Sequence, residues 1–283
     1  MSNPIKVKLP YFDHLLAALK ENNADLEKSF GRHVHWGYWE YPKQATLSSD
    51  DFAEAAEKLS IKVCAAAQIS NSQTILDVGC GFGGTIAYLN ENFDNLNLLG
   101  LNLDDRQLQR AKDKVIAIAN NKVQFQQGNA CALPFPDNSF DVVLAVECIF
   151  HFPDRQVFFQ EAFRVLKPGG YLALSDFVPT TALLPLMKIK LGLPKPFEQG
   201  FYGNCNAECS SAGYKNLARQ TGFNIDTEQD ITGNTLPTYS YLRRMGMKEG
   251  YKSISAAMET LMIELLSRSC LLKYLILSFQ KPV

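Results

Sequence analysis

An α/β fold built on a parallel sheet is what this chain of 283 residues predicts, on three observations. Short apolar runs alternate with amphipathic segments from about Ile75 to Val178. Strands separated by helices make βαβ units, with parallel strands covered on both faces. The first apolar run, Thr74-Ile75-Leu76-Asp77-Val78, leads into Gly79-Cys80-Gly81-Phe82-Gly83-Gly84. Glycine at a strand-to-helix turn permits positive φ and lets a ligand approach the backbone with no Cβ in the way. Hydrophobic residues make up 46% of the chain and charged ones 20%, enough for a substantial core and unlike a disordered segment.

Taken in order, residues 10–20 carry Phe12, Leu15, Leu16 and Leu19 at helical spacing, and 50–69 form a second, alanine-rich helix. Strands are expected at 75–78, 96–101, 123–127, 140–146 and 170–177, with helices between them that include 106–119 and 155–165. Lys167-Pro168-Gly169-Gly170 is a sharp turn that ends one helix and starts the next strand. Residues 179–235, with Pro179, Pro185, Pro194, Pro196 and many Gly and Asn, read as an insertion of short helices and loops over the sheet's edge. A last helix over about 239–268 and a strand over 271–279 close the sheet. The expectation is one domain in four stretches: an N-terminal lid (1–52), a core (53–178), an acceptor-binding insertion (179–238) and the closing helix and strand (239–283).

The formal net charge of −1 offers no electrostatic footprint for nucleic acid and no polybasic anchor for a membrane, so a small-molecule partner is expected. Seven cysteines in a chain this long do not form a disulfide framework, and Cys205 and Cys209 make an isolated C-x3-C without a second pair, so no metal is expected. Met1 to Lys6 lack the apolar run of a signal peptide, and no stretch of about eighteen apolar residues is present, so a cytoplasmic setting is expected. Nothing in the sequence sets an oligomeric state.

The glycine spacing is Asp-x-Gly-x-Gly-x-Gly rather than the dinucleotide fingerprint Gly-x-Gly-x-x-Gly. Four further elements follow: Gly100-Leu101-Asn102-Leu103-Asp104-Asp105-Arg106-Gln107, Gly128-Asn129-Ala130 before Leu133-Pro134-Phe135, Phe140-Asp141, and Leu166-Lys167-Pro168-Gly169-Gly170. In this order and spacing, residues 74–178 resemble class I S-adenosylmethionine (SAM) methyltransferases. The resemblance implies a Rossmann-like, seven-stranded, mostly parallel sheet with its last strand antiparallel, SAM as cofactor and S-adenosylhomocysteine as product. It implies cofactor contacts at Asp77, Gly79, Gly81, Asn102, Gln107, Asn129, Ala130 and Glu147. Asn102 and Asn129 stand where the family mostly carries acids; a solvated strand end is the other reading of Asn102.

On the acceptor side, His151 follows the fourth strand and Asp176 ends the fifth. Neighbouring strands lie about 4.8 Å apart, within reach of a carboxylate that orients an imidazole base. The pair resembles that of natural-product sugar O-methyltransferases. The competing reading makes His151 a pocket wall and Asp176 a helix cap. Gly31-Arg32-His33-Val34-His35-Trp36-Gly37-Tyr38-Trp39 is similar to a lid segment of the tocopherol and sugar O-methyltransferase group. That similarity implies Tyr38 at the cofactor and His35 and Trp36 at the cofactor or acceptor; ordinary histidines or metal ligands are the alternatives, and no third ligand is evident. Phe150 and the aromatic run 197–204, with Phe201 and Tyr202, suit a cover over an apolar acceptor. The expected activity is methylation of a hydroxyl on a sugar, phenol or polyketide-like secondary metabolite. N- or C-methylation and a catalytically inactive SAM-binding protein are the alternatives.

Overall fold

A computed structural model describes residues 9–21, 23–188, 200–249 and 254–283; the expectations placed on Met1 to Lys6, Pro194, Pro196 and 197–199 lie outside them. Helix α1 (Pro10–Lys20) starts with proline in its first turn, where a missing N–H breaks no bond, and buries Phe12, Leu15 and Leu19. Asn23 accepts the Leu26 N–H to cap α2 (Ala24–Phe30), and Ser48 accepts the Asp51 N–H to cap α3 (Ser49–Ala66).

The alternating core follows as β1 (Thr74–Val78), α4 (Gly84–Asn92), β2 (Asn97–Asn102), α5 (Asp105–Lys114), β3 (Lys122–Gln127), β4 (Phe140–Val146), α6 (Arg155–Val165) and β5 (Leu166–Pro179). The chain continues through α7 (Leu184–Lys188), α8 (Ser211–Thr221), β6 (Asn224–Asp230), α9 (Thr232–Thr235), α10 (Pro237–Glu249), α11 (Ile254–Arg268) and β7 (Leu272–Gln280). The seven strands pair in the order β3-β2-β1-β4-β5-β7-β6, and β7 runs antiparallel to both its neighbours. Strand order reverses between β1 and β4, and in an open α/β sheet that switch point opens a crevice at the carboxyl ends of the strands.

Alternation along the strands feeds two cores. Leu76 and Val78 of β1 pack with Phe158, Phe159 and Tyr214 on the α6 and α8 face. Ile75 packs with Leu59, Val63 and Ile86 on the α3 and α4 face. Helix α1 sits above the sheet's rim, with Phe12 edge-on to Phe82 of the glycine turn at 5.8 Å between ring centroids.

Four elements differ from the sequence expectation. The stretch read as insertion contains α8 and the edge strand β6, whose run Asn-Ile-Asp-Thr-Glu-Gln-Asp is exposed on most positions and so carries no apolar signal. The closing helix is two helices, α10 and α11. Helix α5 ends at Lys114, where Val115 turns extended. Strand β5 begins at Leu166, running through the Lys-Pro-Gly-Gly turn. No helix among the described residues is long and apolar enough to cross a membrane.

Candidate active site

The glycine turn is shaped by what must pass close to it. Gly79 has φ +75°, and a Cβ there would lie 2.7 Å from Cys148 Sγ. At Gly84, the first residue of α4, a Cβ would lie 2.4 Å from His33 Nδ1 and 2.6 Å from the Arg32 carbonyl oxygen. The turn therefore touches the loop after β4 on one side and the 31–39 segment on the other.

A cavity of about 140 Å³ lies over this turn, and all but one of the residues expected at the cofactor line it: Asp77, Gly79, Gly81, Asn102, Gln107, Asn129, Ala130 and Glu147. Asp77 is 2% exposed, and burial pushes its carboxyl up to about 8. Its Oδ2 has no hydrogen-bond partner among the described residues. A buried, unpartnered carboxylate oxygen is expensive unless a cation or donor meets it, which fits the ammonium group of a methionyl moiety. Asn102 is committed locally: its Nδ2 donates to Gln107 Oε1 at 2.9 Å and its Oδ1 accepts the Asp104 N–H at 3.1 Å. Asn129 Oδ1 accepts the Cys131 N–H at 2.9 Å.

The exception is Tyr38. It is buried in the core with Trp36 and Leu59, its N–H donates to the Ala55 carbonyl, and it lines neither cavity. The 31–39 segment lines the smaller cavity at Arg32 to His35 and then turns down onto α3. His33 and His35 line that cavity, and Tyr38 does not. His35 Nδ1 donates to the Trp36 carbonyl at 2.9 Å, its Nε2 lies 3.1 Å from His33 Nδ1, and His33 Nε2 lies 2.6 Å from the Glu57 carboxylate. Burial pulls the His35 imidazole down to about 3.

A second cavity of about 730 Å³ adjoins the first, and His35, Trp36, Phe150, Phe201 and Tyr202 line it as expected for an acceptor site. Phe177 and, farther out, Met245, Met258 and Leu261 extend an apolar wall that sequence reasoning missed. Five residues line both cavities: Tyr11, Val34, His35, Glu147 and His151. Tyr11 was also missed; the helical spacing around it marks a packing face and gives no hint of what that face covers.

At this shared wall, His151 Nε2 lies 3.3 Å from the Tyr11 hydroxyl and Nδ1 lies 3.4 Å from the Asn204 carbonyl oxygen. A carbonyl accepts only, and the Cys205 thiol, 3.7 Å from Nδ1, donates to the Tyr202 carbonyl, so Nδ1 carries the proton and Nε2 is the acceptor. Burial pulls this imidazole down to about 4. Glu147 stands opposite in the left-handed region, φ 49°. Its Oε2 accepts the Trp36 N–H at 3.0 Å and the Tyr274 hydroxyl, and burial raises its carboxyl to about 8.

Asp176 does not orient His151. It is fully buried, and its Oδ2 accepts from Arg155 Nη2 at 2.9 Å and from the Tyr214 hydroxyl at 2.5 Å, while Oδ1 accepts the Phe177 N–H. Arg155, the first residue of α6, captures the carboxylate below the rim, and Asp176 lines neither cavity. No cluster of three or more His, Cys, Asp or Glu among the described residues is placed to hold a metal.

Residues 76–174 match a family model described as a methyltransferase domain. The chain is 31% identical over 218 residues to the 27-O-demethylrifamycin SV methyltransferase of Amycolatopsis mediterranei (strain S699), covering 76% of this chain and 75% of that protein. It is 30% identical over 218 residues to the O-methyltransferase resE of Aspergillus sclerotiorum, covering 76% and 77%. In fold it is similar to the crystal structure of the [4+2]-cyclase SpnF, with a TM-score of 0.72 and 23% identity over 97% of this chain and 93% of that one.

Proposed function

The chain belongs to the class I SAM-dependent methyltransferases, and from that premise we propose that it methylates a hydroxyl of a large, mainly apolar secondary metabolite with His151 as the proton acceptor. SAM, when bound, supplies the methyl group and leaves as S-adenosylhomocysteine. The observation that carries the reading is His151 in the wall shared by the two cavities, its acceptor nitrogen already facing a hydroxyl, that of Tyr11.

An alcohol gives up a proton as its oxygen takes the methyl, and a positioned base contributes about 10²–10⁴-fold. His151 is neutral at pH 7 because burial holds it near 4, so Nε2 offers its lone pair. Phe150, Phe201 and Tyr202 line the larger cavity beside the junction, an apolar wall that limits water during transfer. Trp36, set edge-on to Tyr239 and Phe177, gives the acceptor a fixed aromatic surface, and holding two reactants aligned is worth about 7–11 kcal/mol of barrier.

The cavity volume and its aromatic and aliphatic lining favour a polyketide-like or glycosylated aglycone over a small amine. The names of the two relatives point to oxygen as the methylated atom. The test is His151→Ala, assayed for S-adenosylhomocysteine release on a panel of hydroxylated acceptors beside calorimetry with SAM. Turnover should fall about 10²–10⁴-fold while SAM affinity stays within a few-fold. Full residual turnover would overturn the base and turn the assignment toward carbon or nitrogen.

A further inference from the structure

We propose that Glu259 of α11 is the positioning residue for His151, acting through the turn at 200–204 in the role the sequence suggested for Asp176. The inference rests on the reading of His151 as the base.

Both nitrogens of His151 face groups held by the turn at Phe201, with Cys205 Sγ also 3.7 Å from Nδ1. The Phe201 carbonyl accepts the Tyr11 N–H at 3.1 Å, holding the helix end whose hydroxyl faces Nε2. On its other side the turn is closed by the Gly203 N–H donating to the Gly200 carbonyl at 3.0 Å, with Gly203 at φ +80°. The next residue is Asn204, whose carbonyl receives Nδ1–H. The turn is fixed in turn by Glu259, 7% exposed, whose two carboxylate oxygens lie 2.9 and 3.2 Å from the Phe201 nitrogen. Beside it Thr260 Oγ1 lies 2.8 Å from the Tyr202 hydroxyl.

The orientation of α11 supports a role beyond packing. The helix turns Met258 and Leu261 to the larger cavity while it buries Glu259, Thr260 and Glu264. A charged side chain is rarely buried unless a partner inside meets it, and Glu259 meets the Phe201 N–H. Turned as it is, α11 delivers a carboxylate to a loop N–H and so fixes the carbonyl that sets the imidazole tautomer. In metal and acid–base sites alike, the group bonded to one ring nitrogen decides what the other can do.

The experiment reads the tautomer directly and needs no acceptor. The protein has four histidines, so ¹⁵N-histidine NMR of the S-adenosylhomocysteine complex is assignable with a His151→Asn reference. Wild type should show His151 as the Nδ1–H tautomer. Glu259→Gln, which keeps an oxygen acceptor for the Phe201 N–H, should preserve it. Glu259→Met, which fills the same space without an acceptor, should lose the single tautomer while S-adenosylhomocysteine affinity stays within a few-fold. An unchanged His151 signal in Glu259→Met overturns the proposal. Should that variant not fold, hydrogen exchange at the Phe201 amide of wild type decides instead: protection sustains the proposal and free exchange overturns it. His151→Ala with full turnover would remove the base reading alone, leaving the tautomer result standing.

Discussion

The two cavities share a wall but are made in different ways. The smaller cavity has a floor of strand ends and a glycine turn, with side chains that follow their own strands by a few residues, under a cover from α1 and residues 32–35. The larger cavity, the proposed acceptor site, is built from side chains carried by α1, the loop after β4, the 200–206 turn, α10 and α11, which meet only in the folded protein. A backbone site tolerates little change at the positions that shape it, whereas a side-chain site can be relined without disturbing the sheet. The difference separates where the methyl group comes from, which is common to a whole family, from where it goes.

Substitution should expose that contrast most strongly at Gly79. Valine there would force a β-branched residue to φ +75° with its Cβ 2.7 Å from Cys148 Sγ. Strain of about 3 kcal/mol corresponds to roughly a hundredfold in an equilibrium. Calorimetry of Gly79→Val should show SAM binding weakened by at least that factor, and wild-type affinity would mean that the turn is not the cradle.

Next in size is Asp176→Ala, which leaves the Arg155 guanidinium buried without its carboxylate. Breaking such a pair is worth about 3–5 kcal/mol of stability. Denaturant unfolding should record that loss, while turnover per folded molecule changes far less than in His151→Ala. Equal losses of turnover in the two variants would restore Asp176 to the catalytic centre.

A smaller effect concerns the buried titratable groups at the two cavities. Folding raises Asp77 from 3.8 to about 8, chiefly by burial, and Glu147 from 4.5 to about 8 for the same first reason. Native protein then binds more protons than unfolded protein between those values. The stability these groups contribute is therefore fully present below about pH 4 and is lost as pH rises through about 8. His151 works in the opposite sense: its stabilising share is present above 6.5 and is lost as pH falls through about 4. Thermal unfolding without cofactor should weaken from pH 5 to pH 8, and Asp77→Asn should flatten that slope. An ammonium group docking on Asp77 favours its ionised form, so SAM binding near pH 7 should release a proton. Calorimetry in two buffers of different ionisation enthalpy measures it, and equal heats in both would show that Asp77 is already ionised.

The same contrast explains what could be read from the sequence. That Asp77, Gly79, Gly81, Asn102, Gln107, Asn129, Ala130 and Glu147 share one cavity was legible because parallel strands bring their carboxyl ends to one rim, so order along the chain becomes order around a cavity. Strand adjacency also suggested His151 and Asp176 as partners, and there it misled. It fixes how near two backbones come, not which way the side chains point, and Arg155 lies only four residues beyond His151 to take the carboxylate. Tyr38 was misplaced by two residues' worth of chain direction, since the segment leaves the cavity at Trp36 to bond α3. Tyr11 and Glu259 gave no local signal, because their partners lie 140 and 58 residues away in the chain. Strand β6 went unseen because an exposed edge strand needs no apolar pattern.

The five residues common to both cavities have a thermodynamic consequence. Tyr11, Val34, His35, Glu147 and His151 belong to neither ligand alone, so the two binding equilibria share their reorganisation free energy. Whatever factor the acceptor imposes on cofactor affinity, the cofactor must impose on acceptor affinity in equal measure. A substitution in that wall is accordingly a change in cooperativity before it is a change in either dissociation constant, and four titrations, each ligand with and without the other, close into a cycle that isolates it.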